Sequence, residues 1–234
     1  MKAADTVLPC PHPSELDLPR GDLWIFGYGS LMWDPCFPHA ESVPALIYGY
    51  HRELCIYSSR WRGSPDRPGL VLGLNRGGAC RGVAFRIAAG HVARSLEALW
   101  DREMRRGVYH PRLLRARIPK RHRRVLAFVA NPLHPGYAGT LPTARTAELI
   151  ANSHGARGPN VEYLARTLKH LAQLGVQDHH LQRVMAAVHA LVLFGASAEG
   201  SKIRAGKPAR QPLRAGQASL YDGSCRAERK VRAP

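Results

Sequence analysis

Phe26-Gly27-Tyr28-Gly29-Ser30-Leu31-Met32-Trp33 decides how the rest of this chain is read. The apolar segment Leu23-Trp24-Ile25-Phe26 that leads into it has the composition of a strand. Two glycines then flank a tyrosine, and a serine follows. Glycine tolerates positive φ and lets other atoms approach the backbone closely. A strand that breaks into such a turn can aim several N–H groups at one point, where they would meet a carboxylate or a developing oxyanion. The same pattern also describes an ordinary tight turn after a first strand.

Working outward, short segments rich in Val, Ile, Leu and aromatic residues predict strands at Leu23–Gly27, Ala45–Tyr50, Leu54–Tyr57, Leu70–Leu74, Arg81–Ile87, Leu113–Ile118 and Val125–Val129. Helical patterns cover about Gly90 to Arg106, then Thr143–Asn152, Asn160–Leu174 and Asp178–Leu193, with Asn160 and Asp178 as N-cap candidates. Strands gathered early and helices gathered late indicate an α+β domain, 22–194, rather than a βαβ array. Prolines at 9, 11, 13 and 19 make residues 1–21 a mobile leader. Residues 195–234 lack periodicity and read as a basic, disordered tail. The loop Arg60–Gly69 is polar and arginine-rich, either a mobile surface loop or a lid that carries arginines to an anionic ligand.

The chain has 234 residues, 45% of them hydrophobic, enough for a core. No stretch reaches the ~20 apolar residues that span a bilayer, and Met1 to Arg20 lacks a signal-peptide core. A soluble cytoplasmic protein is expected. Five scattered cysteines without a C-x-x-C pair indicate neither a zinc site nor a disulfide framework. No metal set stands out among the 12 histidines, and neither a Walker loop, a G-x-S-x-G nor a G-x-G-x-x-G occurs.

The net charge is +17, from 34 Lys/Arg against 17 Asp/Glu. Ten Lys/Arg and two acids lie between Asp101 and Ala130, and nine Lys/Arg and three acids lie from Gly195 onward. Such asymmetry suits nucleic acid, solubility or the attraction of a small anion. Because the basic residues are not interleaved with exposed aromatics, the sequence favours a solvated surface and leaves nucleic acid open.

Val92, Leu96, Leu99 and Glu103 are spaced i, i+4, i+7, i+11 and share one helical face. Glu103 therefore projects from the core-facing stripe, with Asp101 and Arg102 off it. A carboxylate there is costly unless it is paired or has a purpose, and desolvation raises its pKa toward general acid/base use. Two alternatives stand beside this: an ion pair with Arg105, Arg106 or another arginine, or a position in water past the buried end of the helix.

Taken in order, Phe26–Trp33, Gly49-Tyr50-His51-Arg52, Arg67-Pro68-Gly69, Gly82-Val83-Ala84-Phe85-Arg86, Leu99-Trp100-Asp101-Arg102-Glu103-Met104, Gly107-Val108-Tyr109 and Asn160-Val161-Glu162-Tyr163-Leu164 resemble the ChaC-type γ-glutamylcyclotransferases, the branch that acts on glutathione. The similarity runs from about Leu23 to about Leu193. It implies a γ-glutamylcyclotransferase-like fold, a small, partly closed mixed β-barrel with surrounding helices. It puts the family's catalytic glutamate at Glu103, in the Arg-Glu-Met context. It puts substrate contacts on Ile25, Phe26, Gly27, Tyr28, Gly29, Ser30 and Leu31, with Arg52, Tyr109 and Tyr137 as further candidates. Tyr109 serves a pocket or the core equally well, and Arg52 either anchors a carboxylate or pairs with an acid such as Glu53.

The implied reaction is cofactor-free and metal-free cyclisation of the γ-glutamyl group of glutathione to 5-oxoproline, with release of Cys-Gly. The leader and the basic tail depart from the family pattern. Two rivals remain: a basic nucleic-acid-binding protein without catalysis, resting on Lys120-Arg121-His122-Arg123-Arg124, and a cyclotransferase for other γ-glutamyl amines.

Overall fold

Five strands close into a barrel in the order β1-β3-β2-β4-β5. The structure, a computed structural model, describes residues 12–203, with side chains to Leu193. β1 spans Leu23–Gly27, β2 Glu41–Ser58, β3 Gly69–Ile87, β4 Tyr109–Ile118 and β5 Arg121–Ala130. β1 is buried along its whole length. It pairs antiparallel with β3, from Leu23 opposite Ile87 to Gly27 opposite Val83. On its other side Ile25 meets Leu126 of β5 in parallel, and this contact completes the expected mixed barrel.

β2 and β3 each join two segments that the sequence pattern separates. Gly49 at φ 82 and a second register shift near Cys55 bend β2 without ending its pairing to β3. Such bulges leave a residue unpaired while the ladder continues on either side. The polar and glycine-rich stretch from Asn75 to Ala79 is thus carried within β3, opposite Tyr48 to His51.

α1 covers Val92–Leu99 and runs into a π turn at Trp100–Met104. α2 (Thr143–Ala151), a small hairpin of β6 (His154–Gly155) and β7 (Gly158–Pro159), α3 (Asn160–Gln173) and α4 (His179–Ile203) follow. Leu96, Leu99 and Met104 pack with Phe85, Leu126 and Phe128 on one face of the sheet, and Ile150, Leu164, Leu171, Leu181 and Val184 pack with Phe26 and Ile47 on the other. α4 reaches Ile203, beyond the expected end at Leu193. In the expected leader, Pro13–Glu15 form a 3-10 turn, and Leu16 and Leu18 rest against the core. The rest of the leader and tail, 1–11 and 204–234, lies outside the described residues.

Asp178 caps α4 as its position suggests, with Oδ1 accepting from Leu181 N at 3.1 Å. Asn160 does not cap α3. Its buried amide instead clamps β3, with Oδ1 accepting from Leu70 N (2.6 Å) and Nδ2 donating to Leu70 O (2.8 Å).

Arg52 is a second clamp. Its guanidinium donates to the Tyr28 carbonyl (2.6 Å), to the Arg81 carbonyl (2.5 Å) and to Asp178 Oδ2 (3.4 Å), and its side chain is 4% exposed. The turn after β1, strand β3 and the start of α4 are thereby tied to one side chain. Arg52→Ala would leave two carbonyls and a carboxylate without their donor. It is expected to lower stability by about 2–5 kcal/mol in chemical denaturation.

Candidate active site

The turn after β1 and the π turn after α1 both line a cavity of about 760 Å³. Tyr28, Gly29, Ser30 and Leu31 come from the first; Arg102 and Glu103 come from the second, with Tyr109 beside them at the start of β4. Ser30–Met32 make a 3-10 turn in which the Met32 and Trp33 amides donate to Gly29 O and Ser30 O. The amides that begin such a turn have no acceptor inside it, so Ser30 and Leu31 N–H groups are left at the cavity wall.

Neither glycine of the motif needs positive φ. Each sits at a close approach. A Cβ at Gly27 would lie 3.1 Å from the Phe85 ring, and one at Gly29 would lie 3.1 Å from the Tyr163 hydroxyl.

Three buried tyrosines shape the cavity. Tyr28 donates to Phe128 O (2.7 Å), and Tyr109 donates to Leu72 O (2.9 Å). Tyr163 accepts from Leu72 N at 3.1 Å. Burial raises all three hydroxyl pKa values, so they stay neutral.

Glu103 stands where the periodicity directs it, at the end of the apolar stripe, with a side chain 16% exposed. Burial pushes its carboxyl above the ordinary 4.5, against the lowering pull of Arg102 and Arg157. Arg102 Nε lies 3.2 Å from Glu103 Oε1. The same guanidinium donates to Ser30 Oγ (2.9 Å) and the Asp34 carbonyl (2.5 Å), and pairs with Asp34 Oδ2 at 3.3 Å. The glutamate and the glycine-flanked turn are therefore joined by one arginine.

Sequence periodicity leaves Arg102 off the stripe because it assumes an α-helix throughout. A π turn holds one more residue per hydrogen-bonded turn, so α-helical spacing no longer fixes which side a residue takes there.

The Arg60–Gly69 loop is fastened, not free. Ala156 and Arg157 amides donate to the Arg60 and Trp61 carbonyls, both at 2.9 Å. A Cβ at Gly155 would lie 2.5 Å from the Trp61 carbonyl carbon, so the hairpin and loop meet backbone to backbone. Trp61 is held between the guanidiniums of Arg60 (4.6 Å) and Arg157 (4.9 Å). Arg62 is buried, donates to Pro159 O at 3.1 Å and lies 5.7 Å from the Tyr163 ring centroid. Seven arginines and three carboxylates line the cavity.

A model of the ChaC-like protein family matches residues 23–191. The chain belongs to the ChaC-like family. Among curated relatives of this ChaC-like protein, the glutathione-specific γ-glutamylcyclotransferase of Escherichia coli K12 is 36% identical over 174 residues, 74% of this chain and 75% of that one. The human glutathione-specific γ-glutamylcyclotransferase 1 is 35% identical over 190 residues, covering 76% and 85% of the two chains. The crystal structure of a yeast glutathione-specific γ-glutamyl cyclotransferase superposes with a TM-score of 0.67 at 23% identity, over 73% of this chain and 96% of that one, and shares its fold.

Not every expected site residue reaches the cavity of the ChaC-like protein. Ile25 and Phe26 are fully buried core residues of β1, and Gly27 packs on Phe85 and Leu31. Arg52 is committed to its clamp on the Tyr28 and Arg81 carbonyls. Tyr137 is bridged to Ile56 of β2, with its hydroxyl on Asn75 Oδ1 at 3.1 Å, and does not line the cavity. Tyr28, Gly29, Ser30, Leu31, Glu103 and Tyr109 come together. Trp61 joins them from the Arg60–Gly69 loop, which also brings Arg60 and Arg62 to the cavity as the lid alternative expects; Arg102 and Arg157 join them without a local sequence signal.

Because the Arg102 guanidinium lowers the Glu103 pKa, Arg102→Ala moves it further up. If turnover needs ionised Glu103, the acid limb of kcat/KM against pH shifts to higher pH in this variant, as a pH series on both proteins will test.

Proposed function

We infer that this ChaC-like protein is a γ-glutamylcyclotransferase that degrades glutathione to 5-oxoproline and Cys-Gly, with Glu103 as its general acid and base. The observation that carries this reading is a carboxylate with a raised pKa at the wall of an arginine-rich cavity that the Tyr28–Leu31 turn also lines. The names of the bacterial and human relatives point to the same substrate.

The nucleophile belongs to the substrate. The free α-amine of the γ-glutamyl residue attacks its own γ-carbonyl and closes a five-membered lactam. At neutral pH that amine is mostly an ammonium, with a pKa near ~8. Glu103 takes its proton, the amine forms the new C–N bond, and the carbonyl electron pair moves onto oxygen. The Ser30 and Leu31 amides are suited to meet that oxyanion or a substrate carboxylate. As the tetrahedral centre collapses, the bond to the cysteinyl nitrogen breaks and protonated Glu103 gives its proton to that nitrogen. The ring nitrogen, still carrying two hydrogens, then loses one through the regenerated carboxylate to the freed amine, so the lactam keeps one N–H and Cys-Gly leaves as an ammonium. The protons balance and no side chain becomes covalently attached.

The barrel walls hold amine and carbonyl together, which lowers the barrier by several kcal/mol on the order seen for intramolecular reactions. The cavity arginines complement the substrate's two carboxylates. A raised carboxyl pKa narrows the gap to the ammonium and makes the transfer easier.

A cytoplasmic setting is part of the same proposal, supported by the unpaired thiols Cys36, Cys55 and Cys80. Among the described residues no helix is long and apolar enough to cross a membrane.

Purified protein incubated with reduced glutathione should yield 5-oxoproline and Cys-Gly in equal amounts by mass spectrometry. Glu103→Gln should lose about 10²–10⁴-fold in kcat. γ-Glutamyl-alanine turned over in preference to glutathione would overturn the substrate assignment.

The same substitution should stabilise the fold. Burial raises the folded-state pKa, so the folded protein binds more protons than the unfolded chain and ionised Glu103 costs stability as pH rises above 4.5. Glu103→Gln should therefore melt higher than wild type at neutral pH, with the difference vanishing in acid below that value.

A further inference from the structure

The β4–β5 hairpin carries a basic face that the cavity does not use. Arg115 stands directly opposite Arg124, and Arg117 opposite His122. Cross-strand partners share a face, so these four lie together. β2 sets Leu46 beside Arg117, and β3 sets Arg81 beside Leu46. Tyr48, two residues beyond Leu46, is on the same face and is 62% exposed. Lys120 occupies the hairpin turn. Arg81, Arg115, Arg117, Lys120, His122 and Arg124 are all exposed.

Charge compensation is sparse. Arg124 reaches Asp17 at 3.6 Å, an acid that is itself 94% exposed. Among the described residues, Arg81, Arg115 and Arg117 have no acidic partner within 4 Å.

Like charges directly opposed on a ladder weaken it, so the Arg115–Arg124 pair gives the hairpin nothing. Apolar pairs such as Leu113–Leu126 hold the strands instead. A row of guanidiniums offers planar forks for phosphate oxygens, and an exposed tyrosine offers a ring on which a base stacks. From sequence the basic residues lack an aromatic among them; the sheet supplies one from another strand. Among the described residues the face carries one exposed tyrosine ring together with the His122 imidazole and no exposed apolar cluster, which suits a base better than insertion among lipid chains.

We propose that this face is a second site, binding single-stranded nucleic acid with its phosphates on Arg81, Arg115, Arg117 and Arg124 and a base on Tyr48. The site is independent of the cyclotransferase chemistry.

The test uses the full chain and a fluorescein-labelled oligouridylate of about 20 nucleotides, followed by anisotropy between about 50 and 200 mM salt. Wild type should bind with a steep salt dependence. Arg115→Glu with Arg117→Glu should flatten the slope of log K against log salt by about 1.4, the share of two phosphate contacts on a single strand. Tyr48→Ala should weaken binding about five- to hundredfold.

Folding is checked by melting temperature. Arg115→Glu creates an ion pair with Arg124, so the charge-reversed protein should melt no lower than wild type. Three results would each overturn the proposal: an oligonucleotide that does not bind, binding that survives both sets of substitutions, or binding only to phosphatidylserine vesicles in a parallel flotation assay.

Discussion

A carboxylate largely withdrawn from water is the constraint on which this structure turns. Left alone, a buried Glu103 would be costly, and the surrounding chain is arranged to contain that cost without cancelling it. Arg102 touches Glu103 at 3.2 Å but divides its donors among Ser30, Asp34 and Glu103. Burial outweighs the lowering pull of Arg102 and Arg157, so the carboxyl keeps a raised pKa. Ser30 and Asp34 belong to the turn after β1, whose Tyr28 carbonyl is gripped by Arg52. Arg52 in turn is fixed by β3 and by the cap of α4. The position of one glutamate is thus determined by contacts that extend through the barrel to the last helix.

Much of this was legible in the sequence where the signal is local. β1 falls where its apolar run puts it, and α2 and α3 end within a residue of their expected limits. The stripe of Val92, Leu96 and Leu99 directs Glu103 inward although the helix changes its winding before reaching it. The family motifs supplied the chemistry.

What was not legible depends on partners far apart in the chain. β2 and β3 look like four short strands until each is seen to run on by pairing with the other, β2 through His51 to Glu53 and β3 through its glycine-rich stretch. Arg52 reads as an anchor for a carboxylate or as the partner of an acid; it does pair with Asp178, but nothing nearby in sequence announces two backbone carbonyls as its other partners. Asn160 has the features of a helix cap, yet Leu70, distant in sequence, takes both ends of its amide. Arginines in particular resist sequence reading. The same residue type serves as a buried clamp at 52, a link to the glutamate at 102, a brace for Trp61 at 157 and an exposed row at 115 and 117. A net charge sums over all of these roles.

The ionisation of Glu103 itself is the most direct measure of the account. In protein labelled with carbon-13 at the glutamate side-chain carboxyl, the Glu103 resonance is assigned by its loss in Glu103→Gln and titrated by NMR. The expected midpoint lies above the ordinary glutamate value of 4.5 and coincides with the acid limb of kcat/KM for glutathione. A midpoint at or below 4.5, or one unrelated to that limb, would contradict it.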